Sequence, residues 1–134
     1  MTAPSLARVL VALILLCASA AQAAGFRSPG ISPSELHARL GTPEAPALIV
    51  DVRSPGEFAS GHIPGAINIP APKVTVHLEE FRAAPGAVIY CNEGQFTRVA
   101  EQMLLRSRVK DFLHLDGGLT AWQREGYEIE QGEP

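Results

Sequence analysis

The sequence predicts an α/β domain with a mainly parallel sheet. Short apolar, β-branched runs bounded by breakers recur at 47–52, 66–70, 87–90 and 112–115, and stretches of helical periodicity lie between them. The run Ala47-Leu48-Ile49-Val50-Asp51-Val52 is continuous rather than alternating, as in strands buried on both faces. At 134 residues the chain fits one domain.

The N-terminal segment stands apart from that fold. Arg8 precedes an apolar run from Val9 to Leu16, and the chain then turns small-residue-rich from Cys17 to Ala24. A charge, a short apolar core and an Ala-x-Ala site describe a secretory signal peptide over residues 1–23, cut after Ala21-Gln22-Ala23. A membrane anchor needs about 20 predominantly apolar residues, and the run here is shorter. Lipid attachment at Cys17 wants a small residue before the cysteine, where this chain has Leu16. The expectation is a periplasmic protein with no membrane segment after cleavage.

The elements follow in order. Residues 24–30 are small and breaker-rich, a flexible lead-in to a domain over 31–134. Ser32-Pro33-Ser34-Glu35 combines a hydroxyl cap, proline at the first helical position and glutamate three residues after the cap. Leu36 and Leu40 share a face of that helix, and Gly41 stops it. After the first strand, Ser54-Pro55-Gly56-Glu57-Phe58 starts a short helix ending at Gly61. Val74, Leu78 and Phe81 place one helix over 74–84, closed by Pro85-Gly86. Asn92 to Phe96 form a loop, and Val99, Met103 and Leu104 mark a helix over 97–106. The last helix takes in Leu119, Trp122 and Gln123, with Asp116 as its cap and Gly126 as its stop.

Charge excludes one class of partner. The formal net charge is −3, or −4 once Arg8 leaves, with no basic block for nucleic acid to bind.

Of the two cysteines, Cys17 leaves with the signal peptide and Cys91 remains. Exported proteins use cysteines in pairs, so a lone thiol is an intermolecular partner, a reactive group or a small buried hydrophobe. Cys91 lies past the end of an apolar strand and before a helix, where α/β sheets bind ligands. Loop N–H groups and the helix N-terminus favour an anion there, and the thiolate is the nucleophilic form of cysteine. Gly94 lets the loop curl around the sulfur, and Arg98 adds a cation.

Three motifs now stand in order: Asp51-Val52-Arg53 with Glu57-Phe58 and Gly61 to Pro70; Cys91-Asn92-Glu93-Gly94-Gln95-Phe96-Thr97; and Leu115-Asp116-Gly117-Gly118 with Trp122 and Gly126. Together they resemble the signatures of the rhodanese family, above all its small single-domain periplasmic members. The resemblance implies a five-stranded, mainly parallel sheet flanked by helices on both faces, and ping-pong sulfur transfer without a metal or organic cofactor. The Cys91 thiolate would take the outer sulfur of a donor such as thiosulfate as a persulfide and pass it to a thiol, a protein thiol or cyanide. The N–H groups of Asn92, Glu93, Gly94, Gln95, Phe96 and Thr97, with Arg98, would hold the bound anion. Asp51 and Arg53 would brace the site by hydrogen bonds.

One position departs from the family pattern. Many members carry a basic residue five positions after the cysteine, and this chain has Phe96 there and Glu93 inside the loop. A dianionic donor would bind less well, leaving a neutral persulfide or a protein thiol as alternatives. The other residues read as structure: His62 fixes a turn, Phe58 and Trp122 lie in the core, and His37, His77 and His114 sit on surfaces or strand faces.

Three rival readings remain. A phosphatase or arsenate reductase on this fold places arginine six residues after the cysteine, where this chain has Thr97 followed by Arg98. A non-catalytic binding module typically lacks the cysteine. A redox protein forming mixed disulfides would normally carry a resolving thiol.

Overall fold

The computed structural model describes residues 27–134, so the expected signal peptide over residues 1–23 lies outside the described residues. The four apolar runs become strands β2 (Ile49–Asp51), β3 (Ile67–Asn68), β4 (Ala87–Tyr90) and β5 (Phe112–Leu115). A fifth strand, β1 (Gly30–Ile31), pairs with β5 through Gly30 and His114. All neighbours are parallel, in the order β1-β5-β4-β2-β3. β4 therefore runs down the middle of the sheet, and all four of its side chains are fully buried.

Alternation along β4 sorts the core into two layers. Ala87 and Ile89 pack with Val50, Phe81, Ala100 and Leu104 on one face. Val88 and Tyr90 pack with Leu36, Phe58, Leu119 and Trp122 on the other. The first layer is covered by a 3-10 helix (Ala71–Val76), α3 (Leu78–Ala83) and α4 (Gln95–Arg106). The second is covered by α1 (Pro33–Arg39), α2 (Pro55–Ser60) and α5 (Gly118–Arg124). Helices thus flank both faces, and Phe58 and Trp122 are core residues as expected.

Local chemistry explains the short helices. Ser32 and Ser54 each accept from the backbone N–H three residues on, and Glu35 and Glu57 reach back to the cap N–H, closing two capping boxes with proline in the first turn. Between them the chain folds back through His62, whose Nδ1 lies 2.8 Å from the Phe58 carbonyl oxygen and whose ring stacks on Phe58. That is the turn-fixing role read from its motif.

Three expectations change. The helix placed over 74–84 divides into the 3-10 helix and α3, with a break at His77, where φ is −118°. Pro72 and the β-branched Val74-Thr75-Val76 disfavour α geometry in the first part, while Val74 and Phe81 still face the core. Asp116 does not cap the last helix: Gly117 holds the cap position without a side-chain bond, and Asp116 Oδ1 lies 3.1 Å from His114 Nε2. The end of the lead-in is also ordered by the sheet. Ser28 is buried, its N–H donates to Glu101 Oε1 at 3.2 Å, and its hydroxyl bonds Glu101 and lies 2.9 Å from His114 Nδ1. These contacts span more than seventy residues of sequence, which is why composition reads the segment as loose.

Candidate active site

β4 ends at Tyr90, and the next residue is Cys91, at the carboxyl end of the central strand. The Cys91 side chain is fully buried. The chain then turns through Asn92, Glu93 and Gly94, and α4 begins at Gln95, two residues earlier than the periodicity places it. Gly94 makes this turn possible. Its φ is +120°, a region costly for residues with a Cβ, and its N–H donates to Cys91 Sγ at 3.0 Å. The sulfur therefore sits at the N-terminus of a twelve-residue helix with an N–H directed at it, which favours negative charge on that atom.

A second helix holds the same turn from the other side. The first N–H groups of a helix have no partner within it. In α5 those of Leu119 and Thr120 donate to the carbonyls of Cys91 (2.8 Å) and Asn92 (3.1 Å). Gly117 and Gly118 bring the helix this near, with φ of +71° and +59°. A methyl at Gly118 would meet the Asn92 carbonyl and lie 2.5 Å from the Cys91 carbonyl oxygen. Sequence reasoning placed this glycine pair in a motif but gave it no part in the site. Two consecutive glycines before a helix were the available signal.

The third support is ionic. Arg53 Nε and Nη2 grip the Asp51 carboxylate at 3.0 and 2.6 Å, and both residues are buried. Nη2 also donates to the Gly61 carbonyl at 2.6 Å, and Nη1 to Asn92 Oδ1 at 3.2 Å. Burial opposes the Arg53 charge, but the hydrogen bond and charge of Asp51 outweigh it and hold the pKa above the ordinary value. Asn92 Nδ2 donates in turn to Glu57 Oε1 at 3.2 Å, so the Asn92 amide links α2, the β2 end and the Cys91 turn. Glu57 and Asn68, which donates to the carbonyls of Asp51 and Arg53, are supports the sequence reading did not assign. Asp51 and Arg53 thus connect the end of β2 to Asn92 in the Cys91 turn.

The remaining candidates separate. Thr97 turns inward and is buried, while Glu93, Gln95, Phe96 and Arg98 are exposed. Arg98 makes no side-chain hydrogen bond or ion pair among the described residues, so the cation that touches the loop is Arg53. The position expected to hold a phosphate-binding arginine is thus a buried threonine, with its neighbouring arginine turned to solvent.

The chain is 34% identical over 99 residues to a sulfurtransferase of Allochromatium vinosum, covering 74% of this chain and 92% of that one. It spans only 44 to 60% of the length of three other curated relatives. A rhodanese-like domain protein of Staphylococcus aureus matches with a TM-score of 0.62 and 34% identity, over 77% of this chain and 99% of that one. A thiosulfate sulfurtransferase of Pseudomonas aeruginosa matches with a TM-score of 0.70 and 25% identity, over 79% of this chain and 21% of that longer one. The Rhodanese-like domain family matches residues 32–125, which include the Cys91 turn, the Asp51–Arg53 pair and the glycines that hold them, and the chain belongs to that family.

Proposed function

We propose that this chain is a sulfurtransferase that carries sulfane sulfur as a persulfide on Cys91. The observation that supports it most is the thiol at the helix N-terminus with the Gly94 N–H on its sulfur. With thiosulfate, the Cys91 thiolate attacks the outer sulfur, the S–S bond breaks, and its electron pair leaves with sulfite. A thiol, a protein thiol or cyanide then attacks the persulfide and restores the thiolate. Asp51, Arg53 and Asn92 position the turn, and the Gly94 N–H directed at Sγ stabilises the charge that develops. The Cys91 side chain is enclosed, so the mouth of the loop must open to admit a donor.

That enclosure favours a second reading, a partner-binding module in which Cys91 is a buried hydrophobe. Intact-mass spectrometry before and after thiosulfate separates the two. The sulfurtransferase reading expects a gain of about one sulfur mass, reversed by cyanide and absent from Cys91→Ala. No gain with thiosulfate or any persulfide donor would leave the module reading. We further propose export to the periplasm. Among the described residues no helix is long and apolar enough to cross a membrane. The same mass, read on periplasmic protein, should correspond to a chain beginning at Ala24, and retention of residues 1–23 would overturn cleavage there.

A further inference from the structure

The residue after Cys91 is gripped by its side chain from two directions. The Asn92 amide oxygen accepts from Arg53 Nη1 at 3.2 Å, and its nitrogen donates to Glu57 Oε1 at 3.2 Å. Its backbone carbonyl is held as well, by the Thr120 N–H at 3.1 Å. Two positions on, the Gly94 N–H reaches Cys91 Sγ at 3.0 Å. Asn92 is exposed, so hydrogen bonds rather than packing set its orientation.

Donors and acceptors in this relay fit together in only one way. A guanidinium only donates and an ionised carboxylate only accepts, whereas an amide does one at each end. Between Arg53 and Glu57, Asn92 must therefore turn its oxygen to Arg53 and its nitrogen to Glu57. Arg53 is itself fixed by Asp51 and the Gly61 carbonyl. Glu57 is fixed by Ser54, whose N–H (3.2 Å) and hydroxyl (2.9 Å) both donate to Oε2 and leave Oε1 for Asn92. Hydrogen bonds from Ser54, and after them the one from Asn92, hold the Glu57 pKa below the ordinary carboxylate value. At neutral pH that group is an acceptor only. One carboxylate thus closes the capping box of α2 with one oxygen and holds the neighbour of Cys91 with the other.

We propose that Glu57 is a positioning residue for persulfide formation, holding the turn through the Asn92 amide so that the Gly94 N–H stays on Cys91 Sγ. The inference rests on the sulfurtransferase reading and gives α2 a part in it. The polarity of the relay makes either single exchange harmful and the two together benign. In Glu57→Gln the one side-chain oxygen still caps α2, as glutamine also can, and the new NH2 faces the Asn92 NH2. Turning the Asn92 amide over relieves that conflict but aims its NH2 at Arg53. In Asn92→Asp two carboxylates face each other. With both changes, the aspartate oxygens accept from Arg53 and from the glutamine amide, and the relay closes again.

The test measures single-turnover persulfide formation by intact mass across a range of thiosulfate concentrations. It compares the wild type, Glu57→Gln, Asn92→Asp, the double variant and Glu35→Gln. None of the three side chains is buried, so the variants keep the core. Glu35 closes the other capping box, with Ser32, and reports the cost of the cap alone. The saturating rate should fall about tenfold in Glu57→Gln and in Asn92→Asp, the weight of a hydrogen bond to a charged group, while the half-saturating concentration moves less than about twofold. Glu35→Gln should leave the rate unchanged, and the double variant should return to within about threefold of wild type. A loss in Glu57→Gln no greater than in Glu35→Gln, or a double variant no faster than either single, would overturn the role of Glu57 while sulfur transfer stands. No Cys91 adduct in the wild type with thiosulfate or any persulfide donor would overturn sulfur transfer and the positioning role together.

Discussion

Arg53→Ala should destabilise the domain by about 3–5 kcal/mol, the cost of leaving one partner of a buried ion pair uncompensated. Asp51 is fully buried and Arg53 is 5% exposed, so water cannot replace the lost guanidinium. The variant also orphans the Gly61 carbonyl and the Asn92 amide oxygen. In a domain of this size the thermal midpoint should fall by more than about 10 °C. Arg53→Lys should lose less, because it keeps the charge but not the fork that bonds Asp51 through Nε and Nη2. A double-mutant cycle with Asp51→Asn should be strongly sub-additive, since each change removes the same interaction. Additive losses, or a fall below about 1 kcal/mol for Arg53→Ala, would show that the pair does not hold this end of the sheet.

Gly118→Ala should lower the rate of Cys91 persulfide formation at least about hundredfold, the penalty a displacement near 1 Å exacts from a positioned nucleophile. The added methyl would run into the carbonyls of Asn92 and Cys91, and α5 must back away. The Leu119 and Thr120 N–H groups then leave the turn that carries the sulfur. Gly126→Ala is the control. Gly126 also has positive φ, +78°, but a methyl there meets nothing within 4 Å, so that variant carries only the backbone cost. The comparison is single-turnover persulfide formation by mass, alongside thermal unfolding. Comparable rate losses in the two variants would mean that backbone strain alone, and not contact with the Cys91 turn, accounts for Gly118.

Much of this architecture was legible in the residues. Continuous apolar runs gave four parallel strands because buried strands have no polar face to alternate. The two capping boxes announced α1 and α2, since a serine and a glutamate three apart satisfy orphan N–H groups within one turn. Cys91 stood out because it follows an apolar strand and precedes a glycine-containing turn. These signals are local, carried by residues within a few positions of one another.

What the residues did not disclose is held by contacts between distant parts of the chain. β1 is two residues long and reads as loose, yet it pairs with β5, and Ser28 beside it is tied to Glu101, 73 positions away. Asp116 reads as a helix cap until His114 Nε2 is seen 3.1 Å from it. Arg98 is near Cys91 in sequence and turned to solvent, whereas Arg53, 38 positions earlier, reaches the Cys91 turn through Asn92. The sequence by itself determined the fold class and the glycine turn that follows Cys91, because strand burial, capping and turn formation depend on neighbouring residues. Tertiary structure alone decided which cation touches the Cys91 loop and how close α5 approaches it, because each depends on how separate elements pack across the sheet.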